Sequence, residues 1–401
     1  MSSEVLLTPS IITKETLVIL ENNLVAANRV NRKFENQFVK IGNSLTIRKP
    51  NRFTVTTGAG LVVQDIAEPS VAITIDTQNQ VAFQFTSSDL TLTIEEFSER
   101  YLKPAMASMA NQIDYNVLQN YTGINNFVGT NGTNPTTFSS SVQLVGRRMD
   151  DEAAPQDNRC LVGNPNFYWG LAAGQTGSFV MPTAKEALVK GYLNTIGNYE
   201  IYMDQNTPSL TTGAHASSNA LVSANGQTGS NISTIGFGVG DTFTVGEAVT
   251  FGGVQAVNPQ TKVATGVLKS FVITAAVTVS ATSTATLAIS PAIVTSGPYQ
   301  NVNTGPVSTA AGAVSILTGV TGAASSFPQN IAFTRDCFGL VTVPLEIPQG
   351  VDFAARETYR NISMRVIRAY DVNNDVFPTR IDILSGDTVY YQELGCRLGG
   401  A

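Results

Sequence analysis

Apolar and polar positions repeat with two different periods along this chain, and the change of period divides it. The longest helical pattern runs from Thr93 to Tyr121, where Phe97, Tyr101, Ala105, Met109, Ile113 and Val117 recur at every fourth residue and so share one face. Glu95, Glu96 and Glu99 crowd its first turns, where carboxylates oppose the positive end of the helix dipole. At 1.5 Å per residue such an element extends roughly 40 Å, and Pro104 is expected to kink it or restart it. Between Lys103 and Arg147 the only charge is Asp114. So uncharged a helix is expected to be covered on more than one side, by its own chain or by a neighbour's.

Upstream, Leu17, Leu20, Leu24 and Ala27 share a face of a helix predicted over Ile12–Val30, with Pro9 and Ser10 as start signals. Arg29, Arg32 and Lys33 follow it, as a docking patch for an acidic partner or, the favoured reading, a solvated helix end. From Gly42 to about Asp89 the chain reads as a long hairpin. Val71, Ile73 and Ile75 alternate with polar residues, then Val81, Phe83 and Phe85 do so after a turn at Thr77 to Gln80. A two-stranded ribbon is marginal in water and needs a surface to lie on. A neighbouring subunit fits better than the chain's own core, because Lys49, Arg52, Asp65 and Glu68 mix signs along a ribbon with no continuous apolar face.

Downstream of the long helix, Phe138, Val142, Val145 and Met149 predict another, and Arg159–Val162 a buried strand. Asn164-Pro165 opens a further helix with a cap and a first-turn proline. Thr183 and Glu186 form a capping box for a helix that Gly191 closes, and Tyr199–Met203 is a strand. After Asp204 the period becomes two. The only charges before Arg335 are Asp241, Glu247, Lys262 and Lys269, and Phe271, Ile273, Ala275, Val277 and Val279 alternate, as do Ala285, Leu287 and Ile289. Val245–Gln255 predicts a strand pair around Gly252-Gly253. Ala216–Gln329 is therefore read as an inserted, independently folded β-barrel or sandwich. Ala332–Leu345 and Ser363–Tyr370 are strands expected to return to the sheet left at Met203.

The 401 residues suffice for two or three domains, and a charged fraction of 13% with abundant small residues favours β-rich structure. A net charge of −6 argues against adhesive contact with nucleic acid, which needs clustered Lys and Arg. No run of apolar residues is long enough to span a bilayer. Cys160, Cys337 and Cys396 are odd in number and far apart, and read as core thiols. The carboxylates Asp150, Asp151 and Glu152 have no His near them and read as solvated. His215, the only histidine, stands in a polar turn with no nucleophile tied to it. Asp371, Asn373 and Asp375 have the spacing of a calcium loop's first ligands, but Val376 replaces the required glycine and Asp382 the bidentate glutamate, so a hairpin tip is expected. Gly236, Gly238 and Gly240 lack the strand, helix and Lys of a nucleotide loop. No residue is assigned a catalytic, cofactor-binding or metal-ligating role.

These features in this order carry a resemblance across nearly the whole chain. GNSLTIRKP from Gly42, the long helix, RCLVGNPNFYWGL from Arg159, YLNTIGNYEIYMDQNTP from Tyr192 and SMRVIRAYDVNNDVFPTRIDILSGD from Ser363 are similar to the major capsid (coat) proteins of tailed double-stranded DNA bacteriophages. Within that family VGEAVTFGGVQAVNP, PYQNVNTGP and NIAFTRDCFGLVTVPL resemble the insert of certain short-tailed phage coat proteins. The resemblance implies an α+β chain of the Hong Kong phage-type capsid fold. Its parts would be an N-terminal arm (1–37), an E-loop hairpin (38–91), a P-domain with a spine helix (92–134), an A-domain (135–215), an inserted all-β barrel (216–330) and an A-domain return (331–401). It implies hexamers and pentamers in an icosahedral virion shell enclosing double-stranded DNA without specific binding. The implied partners are a scaffolding protein, a portal protein at one vertex and, as a further candidate, a cement protein. Neither enzyme activity, cofactor nor membrane is implied. In some relatives an E-loop Lys bonds covalently to an Asn of a neighbour; Lys49 is the residue to consider, with no Asn partner fixed. The rival readings are an enzyme, against which the lone His215 in its polar turn counts, a shell for enzyme cargo built on the same fold, and a surface adhesin.

Overall fold

The computed structural model describes residues 9–33, 44–55, 57–58, 60, 63–64, 66, 68–86, 98–175, 193, 195–215, 220–309, 312–319, 322–351 and 353–400. Among them the α-helices are Pro9–Asn23 (α1), Lys103–Gln119 (α2), Val142–Asp151 (α3) and Pro165–Gln175 (α4), and the rest is mainly strand. The chain is thus α+β with few helices. It divides into two units, residues 1–48, 70–117 and 338–388, and residues 49–69, 118–337 and 389–401.

In the first unit the long helix forms where its stripe predicts. A π-turn at Ser98–Leu102 leads into α2, and a 3-10 turn at Asn120–Gly123 follows it. Pro104 is the second residue of α2, so it restarts the helix rather than kinking it, at a position where its missing N–H costs nothing. Residues 93–97 of the predicted element lie outside the described residues. Ala105, Met109, Ile113 and Val117 are buried as the period requires, and Leu102, Met106, Ala110 and Leu118 widen that face. Tyr101 departs from it: the ring is exposed and stacks on Phe83 at 6.4 Å.

The contacts of Asp114 explain why the one charge of α2 beyond its first residue, Lys103, stands where it does. The carboxylate is buried, and its two oxygens accept hydrogen bonds from the backbone N–H groups of Val25 and Ala27, each at 2.7 Å. These donors belong to the turn into which α1 unwinds, so the helix predicted to Val30 ends at Asn23. Leu17, Leu20, Leu24 and Ala27 are all buried, the last two from this turn. Arg32 is buried in the same turn and donates through Nε to the Ala27 carbonyl at 2.9 Å. It is therefore neither a solvated end nor part of a docking patch; only Arg29 and Lys33 of that trio are exposed.

The hairpin prediction needs correction. Strand Ser44–Arg48 pairs antiparallel with Ser70–Thr74, whereas Thr77–Thr86 pairs with Val376–Val389, from Thr86 against Val376 to Thr77 against Ser385. The predicted turn at Thr77–Gln80 is the start of that strand. The switch occurs where Thr74 crosses Gly386: a Cβ on Gly386 would stand 2.3 Å from the Thr74 carbonyl oxygen, so only glycine admits the crossing. The ribbon's base also rests on its own chain rather than a neighbour. Ile73 and Ile75 are buried with Val341, with Leu45, Ile47, Val343 and Leu384 packed against them. The remaining sheet of this unit runs Phe338–Val343, Val376–Val389, Ile362–Arg368, Phe353–Tyr359, and α1 packs on its last two strands. Ser363–Tyr370 thus joins this sheet and not the one left at Met203.

In the second unit that other sheet has the order Phe127–Val128, Gly395–Gly399, Ser326–Thr334, Arg159–Gly163, Tyr199–Met203, Thr195–Ile196. The Asn164 side chain accepts from the Phe167 N–H at 2.8 Å, capping α4 as expected. The capping box at Thr183 and Glu186, with Gly191, lies outside the described residues. Between the sheet's strands the chain departs into a six-stranded sheet ordered Val314–Ile316, Ala248–Val257, Ala264–Ile273, Thr284–Ile293, Gly229–Ile235, Leu221–Val222. Its first and last strands meet through a Leu221–Ala313 bridge and a Val314 N–H to Ala220 carbonyl bond of 2.9 Å. Phe251, Phe271, Ile273, Leu287 and Ile289 lie in its own buried core. Ala248–Val257 is one strand and not a pair: its register shifts near Gly253, whose φ of 77° makes a bulge.

Removing the Asp114 carboxylate takes the acceptor from two N–H groups, the buried one of Ala27 and the half-buried one of Val25. Asp114→Ala is expected to cost about 2–4 kcal/mol in denaturant unfolding, with the Asn23–Arg32 turn losing hydrogen-exchange protection first.

Candidate functional site

Every charge of the inserted sheet is spent on holding it together or holding it down. Asp241 accepts from the Gly238 N–H at 3.0 Å, which closes the Gly236–Gly240 turn and accounts for those glycines without a nucleotide. Lys262 donates to the Pro298 carbonyl at 2.6 Å. Glu247, fully buried, accepts from the Gly213 N–H and His215 Nε2 on one oxygen and from the Thr244 N–H on the other, each at 2.9 Å. The neck through which the chain enters and leaves passes beside it. His215 and Gly322 exchange backbone hydrogen bonds of 3.2 and 2.9 Å, and Thr212 N–H donates to Ser325. At Gly213 a Cβ would lie 1.8 Å from the Thr242 carbonyl oxygen. His215 is thus a buried clasp against Phe243, ring centroids 4.7 Å apart.

The fourth charge, Lys269, overturns one expectation. Glu152 is not solvated: it is buried, and Lys269 Nζ donates to both its oxygens at 2.6 and 2.7 Å. Arg148, one turn back on α3, lies 3.6 Å from the same carboxylate and donates to the Leu268 carbonyl at 2.9 Å. Asn125 donates to the Ser270 carbonyl at 3.0 Å. Three consecutive residues of strand Ala264–Ile273 are therefore gripped by polar groups from outside the insert. Of the other acids in the run, Asp150 pairs with Arg159 at 2.6 Å, and burial raises the pKa of Asp151.

Arg397 escaped the sequence reading altogether. It is fully buried with no carboxylate, and it donates to the Gly246 carbonyl at 2.5 Å between the Tyr121 and Phe127 rings, each 5.9 Å away. Desolvation lowers its pKa to about 10. A lone Arg in a GCRLG strand gives no signal of such burial.

The remaining candidates resolve as expected or remain apart. Asp371 accepts from Asn373 N–H and Asn374 Nδ2 at 2.9 and 2.7 Å and bridges to Val376, making a self-satisfied hairpin tip. No cluster suited to a metal occurs among the described residues. The three cysteines are free and buried, and burial pushes Cys396 up to about 12 and Cys337 well above its ordinary value. No described helix is long and apolar enough to cross a membrane.

The folded chain leaves one apolar segment and one helix face uncovered. In the 49–69 segment Phe53, Val55, Val63 and Ile66 are 63%, 95%, 80% and 72% exposed. Beyond Lys103, the outer face of α2 carries Ala107, Ser108, Asn111, Gln112, Tyr115 and Gln119, all exposed and none charged.

Residues 3–400 match the family described as P22 coat protein - gene protein 5. No curated protein matches the chain. Among solved structures it is similar to one from Mycobacterium phage Che8, at 12% identity and a TM-score of 0.49, covering 94% of this chain and 90% of that one. It is also similar to the capsid of the cyanophage P-SCSP1u, at 11% identity and a TM-score of 0.43 over 93% and 85% of the two chains. A virus-like particle from Pyrococcus furiosus aligns at 8% identity and a TM-score of 0.40 over 96% and 99%.

Breaking the grip on the insert from one side strands a buried charge. Glu152→Gln or Lys269→Met is expected to destabilise by about 3–5 kcal/mol, and the double Glu152→Leu, Lys269→Met by clearly less, in denaturant melts. Thiol reagents are expected to leave all three cysteines unmodified in the native chain and to modify all three after denaturation.

Proposed function

The chain belongs to the P22 coat protein family, a structural capsid protein of the tailed-phage virion, and from that premise we propose how its copies form the shell. They associate as hexamers and pentamers of an icosahedral head that encloses double-stranded DNA. The 49–69 segment of each copy lies across the next, and the outer face of α2, uncharged beyond Lys103, meets a neighbour. The observation that carries this is the exposure of Phe53, Val55, Val63 and Ile66 on one segment. Fully burying side chains of this size gains roughly 1.5–3 kcal/mol each, a reward that the isolated chain leaves uncollected.

The six-stranded sheet is, in this reading, the inserted β-barrel domain, a reading supported by the contact between its edge strands. Net charge of −6 suits a wall that does not hold packaged DNA. Assembly partners of the implied kinds, a scaffolding protein, a portal protein at one vertex and a cement protein, need sites of their own. Exposed Arg29 and Lys33 are what remains of the basic patch first considered as a docking site for an acidic partner.

Replacing Phe53, Val55 and Ile66 together by Ser is expected to change the unfolding free energy of the unassembled chain by less than about 1 kcal/mol. The same variant is expected to yield no shells by electron microscopy under conditions where the wild type assembles. Normal shells from the triple variant would refute the role given to the segment.

A further inference from the structure

In the first unit α1 covers one face of the sheet. It packs on strands Phe353–Tyr359 and Ile362–Arg368, and Glu357 on that side accepts from the Ser10 hydroxyl at 2.5 Å. Side chains alternate along a strand, so Arg356 and Arg365 belong to the opposite face. There the register sets Arg356 directly across from Arg365, Arg365 across from Asp382, and Asp382 across from Gln80. Arg380, two residues before Asp382, shares that face.

Three guanidiniums stand here against one buried carboxylate. Arg365 Nη2 donates to one oxygen of Asp382 and Arg380 Nε to the other, each at 2.5 Å, although a single arginine would neutralise it. Arg356 is exposed, donates only to the Leu345 carbonyl at 3.2 Å, and meets no carboxylate among the described residues. Glu346 offers its backbone carbonyl to Arg365 at 2.5 Å, while its exposed carboxylate pairs with none of the three. Even with Glu346 counted, the face keeps a positive charge in a chain whose own net charge is −6. Like charges directly opposite one another weaken a sheet, as Arg356 and Arg365 do here. A local rule broken without return to the fold points to a contact outside it.

We propose that this face docks an acidic polypeptide segment of another protein, whose carboxylates meet Arg356 and Arg380. The guanidinium fork matches a carboxylate in shape as well as charge. Gln80 and Gln84, exposed beside the arginines, supply amides that both donate and accept, as a peptide backbone requires. A nucleic-acid duplex fits less well, because its affinity comes from many neutralised phosphates and the net charge of the chain opposes a long polyanion. The face shares no residue with the 49–69 segment or with α2, so it stands or falls apart from the shell contacts proposed above.

The test is fluorescence anisotropy of a labelled decaglutamate peptide titrated with the unassembled full chain, beside a labelled decaglutamine peptide and a short DNA duplex. Saturable, salt-sensitive binding of decaglutamate alone is expected. Arg356→Gln should weaken it about threefold, and Arg356→Gln with Arg380→Gln about tenfold. Arg365 still pairs with Asp382 in both variants, and unchanged denaturant melts will show that they fold. Arg356→Lys should lose less than Arg356→Gln, and Lys14→Gln on the exposed side of α1 should lose nothing. Absence of saturable binding, or equal affinity in the double variant, overturns the proposal. Tighter binding of the duplex that the same variants abolish assigns the face to nucleic acid and overturns it too. So does self-association of the peptide-free chain that the variants abolish, which assigns the face to a second copy.

Discussion

A two-stranded ribbon cannot bury both of its faces by itself, and this constraint shapes the whole subunit. At its base the chain meets the need internally. Ile73 and Ile75 sink into a small core with Val341, and Gly386 lets the second strand pass closely enough over the sheet. Beyond Lys49 no such core occurs among the described residues, and Phe53, Val55, Val63 and Ile66 remain in water. A structural protein gains from that arrangement. Stability withheld from the monomer becomes available to the assembly, and contacts made only between copies drive the shell rather than the fold.

The scarcity of charge is the other side of the same economy. With 13% charged residues, several buried charges have an identifiable structural task. Asp114 fixes the turn after α1 by its backbone donors. Glu247 clasps the neck of the insert, and Glu152 with Lys269 docks one of its strands. These are pairings in which loss of one member costs far more than the pair contributes, so they specify geometry more than they add stability. On the outer face of α2 beyond Lys103, exposed uncharged residues such as Ser108, Asn111 and Gln112 suit close contact without desolvating ions.

Periodicity made much of this legible. The α2 stripe, the strand at Arg159–Gly163, the Asn164 cap and the alternation of Ala285, Leu287 and Ile289 stand where the sequence places them, whereas the run predicted over Phe271–Val279 breaks after Ile273, with Val272 buried and Ala275 exposed. Alternation shows which face of a strand is buried but not which strand lies beside it, so Thr77–Thr86 was paired with the wrong partner. Glycine was ambiguous for the same kind of reason: Gly252-Gly253 suits a turn or a bulge equally until the register is known. Runs of acids suggest solvent, and Glu152 broke that pattern because its cation lies 117 positions away. Arg397 could not be found from sequence, since only the fold brings two aromatic rings and a carbonyl around it.

The central claim is that the 49–69 segment is finished by a second copy of the chain. Cryo-electron microscopy of assembled shells tests it most directly. Phe53, Val55, Val63 and Ile66 should lie buried against an adjacent subunit, while Ile73 and Ile75 keep their contacts with Val341 of their own chain. A shell in which those four side chains remain in solvent, or fold back onto their own subunit, would contradict the account.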